Sequence, residues 1–207
     1  MQGTNRHTAR ARSSPIPARL RLEGGVTLIT LMIGLAVGSI VLAGIYTTFN
    51  MQANAYLREQ QLVDVQQTVR LVKSMMIRDL HRAGYNPTRA GFSGVTGNAT
   101  LVQIQADLDG DTSTTGQNEN ITYSYDEGSS RLLRNSGAAQ TQFSNIQAFT
   151  ATYLDDTGST AAVPADIRHV HLSITVRTAL SDPNYPLNGG YRSVTFQFRV
   201  APRNLAL

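Results

Sequence analysis

The chain has 207 residues, 41% of them hydrophobic and 15% charged, enough for one modest core and an appended segment but short of two full domains. Its formal charge of +4 is local: Arg6, Arg10, Arg12, Arg19 and Arg21 face only Glu23 over residues 1–25, and the remaining 13 Lys/Arg and 13 Asp/Glu cancel. That distribution lacks the basic footprint that nucleic-acid binding needs, and zero cysteine excludes disulfides, thiolate metal sites and a cysteine nucleophile.

Residues 1–25 carry the arginines with Ser13, Ser14, Pro15 and Pro17 and show no hydrophobic period, so they read as an unfolded cytoplasmic leader. An Arg-rich, acid-poor stretch also fits a transit peptide, but the next segment decides against it, because no charged residue occurs from Gly24 to Leu57. Val26 to Phe49 is long enough to cross a bilayer, which takes about 20 apolar residues. Arginine before this run and none just after it places the N-terminus in the cytoplasm and the bulk outside. The apolar core is too long for an ordinary cleaved secretory signal and continues into more helix. Gly34 and Gly38 form a Gly-x-x-x-Gly pair that lets another helix approach closely.

From Leu57 the apolar Leu62, Val65, Val69, Val72, Met76 and Leu80 recur at steps of three and four, with Arg58, Glu59, Asp64, Arg70, Lys73 and Arg78 interleaved. The pattern predicts one continuous helix from Val26 to Ala83, about 85–90 Å long at 1.5 Å per residue. Arg82, Gly84 and Pro87 mark its C-terminal end. After a Gly/Asn/Thr-rich connection the period changes to 2, and strands are predicted at Leu101 to Ala106, Ile121 to Tyr125, Arg131 to Arg134, Ile146 to Leu154, Ile167 to Thr178 and Tyr191 to Val200. With no helix between them they form an antiparallel sheet whose apolar face packs on Val65 to Leu80. The expected fold is α+β: leader 1–25, transmembrane helix 26–50, amphipathic helix 51–84 and a β-rich head 85–207.

Asp107, Asp109 and Asp111 alternate around Gly110, with Glu119 eight residues further on. Carboxylates at i, i+2 and i+4 in a turn can surround a hard cation, as in the first half of a calcium loop. The position eleven after Asp107 is Asn118, so the pattern is not an EF-hand, and a solvated Asp/Gly turn fits the same residues. His169 and His171 share one face of a strand that continues as Ser173, Thr175 and Arg177, a row expected to face solvent. Gly91-Phe92-Ser93-Gly94-Val95 lacks the last glycine of a nucleophile elbow, and no other catalytic grouping occurs, so an enzyme is not expected.

The basic leader, Gly25 and the run Val26-Thr27-Leu28-Ile29-Thr30-Leu31-Met32-Ile33-Gly34, followed by a long helix and a small sheet, resemble the type IV pilin and type II secretion pseudopilin superfamily. The resemblance implies that a membrane aspartyl prepilin peptidase cuts between Gly25 and Val26 and methylates the new amine, with Thr27, Leu28, Ile29 and Thr30 in the signature. The leader is longer than family leaders usually are, and a start at Leu20 or Leu22 would account for it. The fifth mature residue, usually glutamate, is Thr30. In the family that glutamate can neutralise the N-terminal ammonium of a neighbour in a low-dielectric bundle, and its loss occurs in subunits placed at the filament tip.

Ile77-Arg78-Asp79-Leu80-His81-Arg82-Ala83-Gly84-Tyr85-Asn86-Pro87 resembles the corresponding segment of PilW-type minor pilins, as do Ala106 to Asp111, Glu119 to Tyr123, Arg131 to Asn135 and Arg203 to Leu205. The resemblance implies a minor pilin acting in pilus assembly or initiation. Its partners would be the prepilin peptidase, other minor pilins and the major pilin. It would be stored in the bacterial inner membrane with a periplasmic head and then carried on an extracellular pilus. A J-type pseudopilin of a type II secretion system shares these features, and a signal-anchored periplasmic binding domain would keep Val26 unprocessed.

Overall fold

The computed structural model describes residues 27–137 and 139–205; the leader 1–25 and the expected cut between Gly25 and Val26 lie outside the described residues. Helix α1 spans Leu28–Arg82 without interruption. Thr27 precedes it as an N-cap whose hydroxyl oxygen accepts the Thr30 N–H at 3.4 Å, satisfying one of the donors that the first turn leaves unpaired. The chain divides into two compact units after Met51.

In the first unit the large apolar side chains of α1, among them Leu31, Leu35, Ile40, Leu42 and Phe49, are exposed. Its polar side chains turn back on the helix: Ser39 donates to the Ala36 carbonyl at 2.8 Å, and Thr47 and Thr48 each donate to the Gly44 carbonyl at 2.9 Å. Such back-bonding conceals hydroxyls that an apolar medium would not solvate. The segment is long and apolar enough to cross a membrane.

In the second unit the apolar stripe of α1 becomes a core face. Val65, Val72, Met76 and Leu80 are buried, whereas Leu57, predicted to start the stripe, is 52% exposed. Burial of each large core side chain contributes about 1.5–3 kcal/mol. The helix ends where expected: Gly84 takes φ +74, its N–H donates to the Gln105 carbonyl at 2.9 Å, and the Asn204 side chain donates to the Ala83 carbonyl at 3.2 Å.

The strands are β1 (Val95–Asn98), β2 (Leu101–Gln105), β3 (Asn120–Asp126), β4 (Arg131–Asn135), β5 (Gln140–Ser144), β6 (Ile146–Leu154), β7 (His169–Arg177) and β8 (Ser193–Val200). They form two antiparallel sheets, a five-stranded meander β1-β2-β3-β4-β5 and a three-stranded sheet β6-β7-β8, where the sequence pattern predicts one. The division falls at Asn145, whose φ of +63 turns the chain out of the first sheet between β5 and β6. β1 and β5 are additions. β1 contains Gly97, and Phe143 is the only large apolar side chain in β5, so neither shows the alternation that marks a half-buried strand. β7 lies centrally in its sheet, with Val170, Leu172, Ile174 and Val176 paired to Val200, Phe198, Phe196 and Val194.

A single buried cluster joins the α1 stripe to inward residues of both sheets, including Val102, Ile121, Tyr123 and Leu132 from one and Phe149, Leu172 and Ile174 from the other. Two tyrosines fasten the sheets together: Tyr153 of β6 donates to the Leu101 carbonyl at 2.7 Å, and Tyr125 of β3 donates to the Gln147 carbonyl at 2.7 Å. Burial pushes the Tyr153 phenol well up, so it stays a donor across the accessible pH range.

Candidate functional site

The predicted signature places Thr27 and Thr30 one turn apart at the start of α1. Their hydroxyls are 2.7 Å apart, so the Thr30 side chain is engaged with its own helix cap. Leu28 and Ile29 are exposed. Gly34 and Gly38 lie one turn apart, and a Cβ built on either meets nothing within 4 Å. This part of α1 is uncharged, and no side chain covers the two glycines.

A group that sequence reasoning missed lies at the other end of the helix. Asp79 follows Met76 by three residues and Val72 by seven, which puts it on the inward stripe, and it is fully buried. Its Oδ2 accepts hydrogen bonds from the Tyr123 hydroxyl and from Arg134 Nε, both at 2.7 Å, and its Oδ1 accepts one from Arg82 Nη2 at 3.0 Å. Burial alone would raise the Asp79 carboxyl, but the bonds from Arg134 and Tyr123 outweigh it and hold the group below the ordinary carboxylate range. The Tyr123 phenol is pushed up by burial and by the Asp79 charge. Asp79 and Arg134 are therefore an ion pair at neutral pH, with the phenol as a neutral donor. Tyr123 is fully buried and Arg134 nearly so, which closes the group to substrate. Its role is to pin one rotation of α1 over β3 and β4, because another helical phase would leave an ion unpaired in the core. The available signal was an acidic residue at an inward helical position between Arg78 and Arg82.

The acidic loop is brought together in part. One carboxylate oxygen from each of Asp107, Asp109 and Glu119 lies within 4.8 Å of the others, and Asp111 is outside that group. The first and last of these are buried, and their oxygens already accept protein donors. Asp107 takes the Thr88 hydroxyl at 2.6 Å and the Gly110 N–H at 2.7 Å. Glu119 takes the Leu108 N–H at 2.7 Å and the Gly116 N–H at 2.8 Å. Asp111 accepts the Ser113 N–H at 2.8 Å. The Thr88 hydroxyl and these amides hold the Asp107 carboxyl below its usual value. For Asp109 the Asp111 N–H acts in the same direction, but partial desolvation and the negative charges of Asp111, Glu119 and Asp107 together push it up. The hard oxygen donors suit calcium in kind, while the N–H donors brace the loop without a cation.

No family model and no curated protein matches the sequence. Among solved structures, a type IV-like pilin from Thermus thermophilus is similar at 16% identity, with a TM-score of 0.42, over 69% of this chain and 98% of that chain.

Proposed function

We propose that this chain is a filament subunit of the type IV pilin kind, held in the inner membrane by α1 until a prepilin peptidase releases it for assembly. The observation that carries this reading is α1 itself: one helix that is uncharged, apolar and exposed from Leu28 to Met51 and then supplies the core stripe of an α+β head. A helix of that composition needs lipid or other helices around it, and the Gly34/Gly38 surface suits the second environment. The finer reading is a PilW-like minor subunit acting in assembly or initiation at the tip, which the Thr30 substitution and the sequence from Ile77 to Pro87 support. A J-type pseudopilin would use the same helix with secretion partners.

The deciding measurement is the intact mass of the full chain purified from membranes of cells with and without prepilin peptidase. The expected product begins at N-methylated Val26 and depends on the peptidase, and the partners that co-purify with it separate pilus from secretion. A mature chain that retains Gly25 would overturn the reading in favour of a signal-anchored binding domain. Calcium at Asp107, Asp109 and Glu119 is a second proposal, supported by the convergence of one carboxylate oxygen from each within 4.8 Å of the others. Millimolar calcium is then expected to raise the melting temperature of the full chain; a melting temperature equal in calcium and in chelator rejects it.

A further inference from the structure

The connection between β7 and β8 is fastened to α1 at one carboxylate. Asp182 meets Arg58 Nε at 3.0 Å and Arg192 Nη2 at 3.5 Å, and it accepts the Asn184 N–H at 3.0 Å. Its own N–H donates to the Gly190 carbonyl at 2.8 Å, so one residue holds both limbs of the loop. Asn54, Leu57 and Arg58 of α1 and Leu180 to Asn184 of the loop line a common groove of about 310 Å³. The guanidinium groups of Arg192 and Arg177 lie 4.8 Å and 4.4 Å from the ring centres of Tyr185 and Tyr191. Held in this way, the loop still leaves Leu180 and Leu187 65% and 60% exposed.

The level at which the loop is tied follows from the helix itself. α1 carries no charge before Arg58, and Leu28 to Leu57 extends about 45 Å at 1.5 Å per residue. That matches a bilayer with its headgroup regions, about 40–45 Å. A span of this length leaves Arg58, and the loop bonded to it, at the height of the lipid phosphates. Charge agrees with that placement. After Asp166 the sequence has Asp182 as its only acid, against Arg168, Arg177, Arg192, Arg199 and Arg203, and Asp182 is already engaged by Arg58 and Arg192.

We propose that the β7–β8 loop is a second membrane contact, resting on the headgroup region of the bilayer that α1 crosses. Leucines exposed at that height lose unfavourable contact with water by entering the boundary between headgroups and acyl chains. Tyrosine, with an apolar ring and a polar tip, is enriched at the same level. Arginine buries its stem there while its guanidinium pairs with lipid phosphate. The loop carries all three kinds of side chain, and its tie to Arg58 keeps them beside the end of the span. The inference rests on the reading of α1 as a membrane-crossing helix.

The chain lacks tryptophan, so a single introduced one reports its own surroundings. Leu187→Trp, Phe49→Trp and Val163→Trp replace exposed side chains in the loop, in the apolar run and in the β6–β7 connection. Each full-length variant is placed, one copy per disc, in nanodiscs of phosphatidylethanolamine and phosphatidylglycerol. The discs are prepared with and without bromine at the headgroup end of the acyl chains. Phe49→Trp is expected to be strongly quenched by bromine, Leu187→Trp to emit at shorter wavelength than Val163→Trp and to be partly quenched, and Val163→Trp to be unaffected. Leu187→Trp that emits like Val163→Trp while Phe49→Trp is quenched overturns the proposal and leaves the span standing. Absence of quenching at Phe49→Trp removes the membrane-crossing reading and this inference with it. A blue-shifted Leu187→Trp that is indifferent to bromine would put a protein surface, such as a second copy, over the loop and also overturns the proposal.

Discussion

Asp79→Ala in the full chain is expected to lower the stability of the head by about 3–5 kcal/mol, because it removes one partner of a buried ion pair and leaves the other charged in the core. Arg134 would lose its 2.7 Å bond and the Tyr123 hydroxyl its acceptor. Thermal or denaturant unfolding followed by circular dichroism reads the loss, and a variant within about 1 kcal/mol of the parent, the ordinary range of surface changes, would refute the pin. Replacing the whole group with apolar residues of similar size, as Asp79→Leu with Tyr123→Phe and Arg134→Met, is expected to recover most of the loss, since no buried charge then remains. The pH dependence has a definite sign. The folded-state Asp79 carboxyl is held below its ordinary value, so its contribution is complete above the unfolded carboxyl pKa of about 3.9 and is lost as pH falls through the folded value. The parent should therefore lose stability more steeply below about pH 4 than Asp79→Asn does.

Gly97→Ala should be the most damaging single methyl addition in the head, at about 2–4 kcal/mol. Gly97 has φ +147, in a region that L side chains rarely adopt, and a Cβ there would overlap the Leu101 carbonyl oxygen and the Tyr153 hydroxyl. Those two groups make the bond that fastens β6 to the β1–β2 turn, so neither can move without opening the seam between the sheets. Gly158→Ala is the companion measurement. Gly158 also has positive φ, at +85, but a Cβ there meets nothing within 4 Å, so it reports backbone strain alone, about 1–2 kcal/mol. Equal losses for the two variants would show that the seam yields.

The helix was legible in the sequence because its apolar periodicity is long and its C-terminal signals are local: the predicted Val26 to Ala83 and the observed Leu28–Arg82 differ by one or two residues at each described end. β7 and β8 were legible through the alternation of Val170 to Val176 and Val194 to Val200. β1 and β5 were not, since an edge strand needs few apolar residues and owes its existence to the partner that it pairs with. The two-sheet division hid in the backbone of Asn145. The acidic loop was recognisable as a cluster, but the N–H donors that meet Asp107 and Glu119 come from the path of the chain, which composition does not encode. Asp79 is buried in a turn that the flanking Arg78 and Arg82 make solvated in pattern, so its inward position is not legible from residue types alone.

Asn204 closes the end of α1 through a bond that spans 121 positions of sequence, with Leu205 packed against the same core. Until Asn204 and Leu205 dock, the carbonyl of Ala83 lacks its cap, so the head is completed by a closure of long range and correspondingly slow. A chain truncated before Asn204 would leave the Ala83 carbonyl without this donor and the end of α1 unfinished.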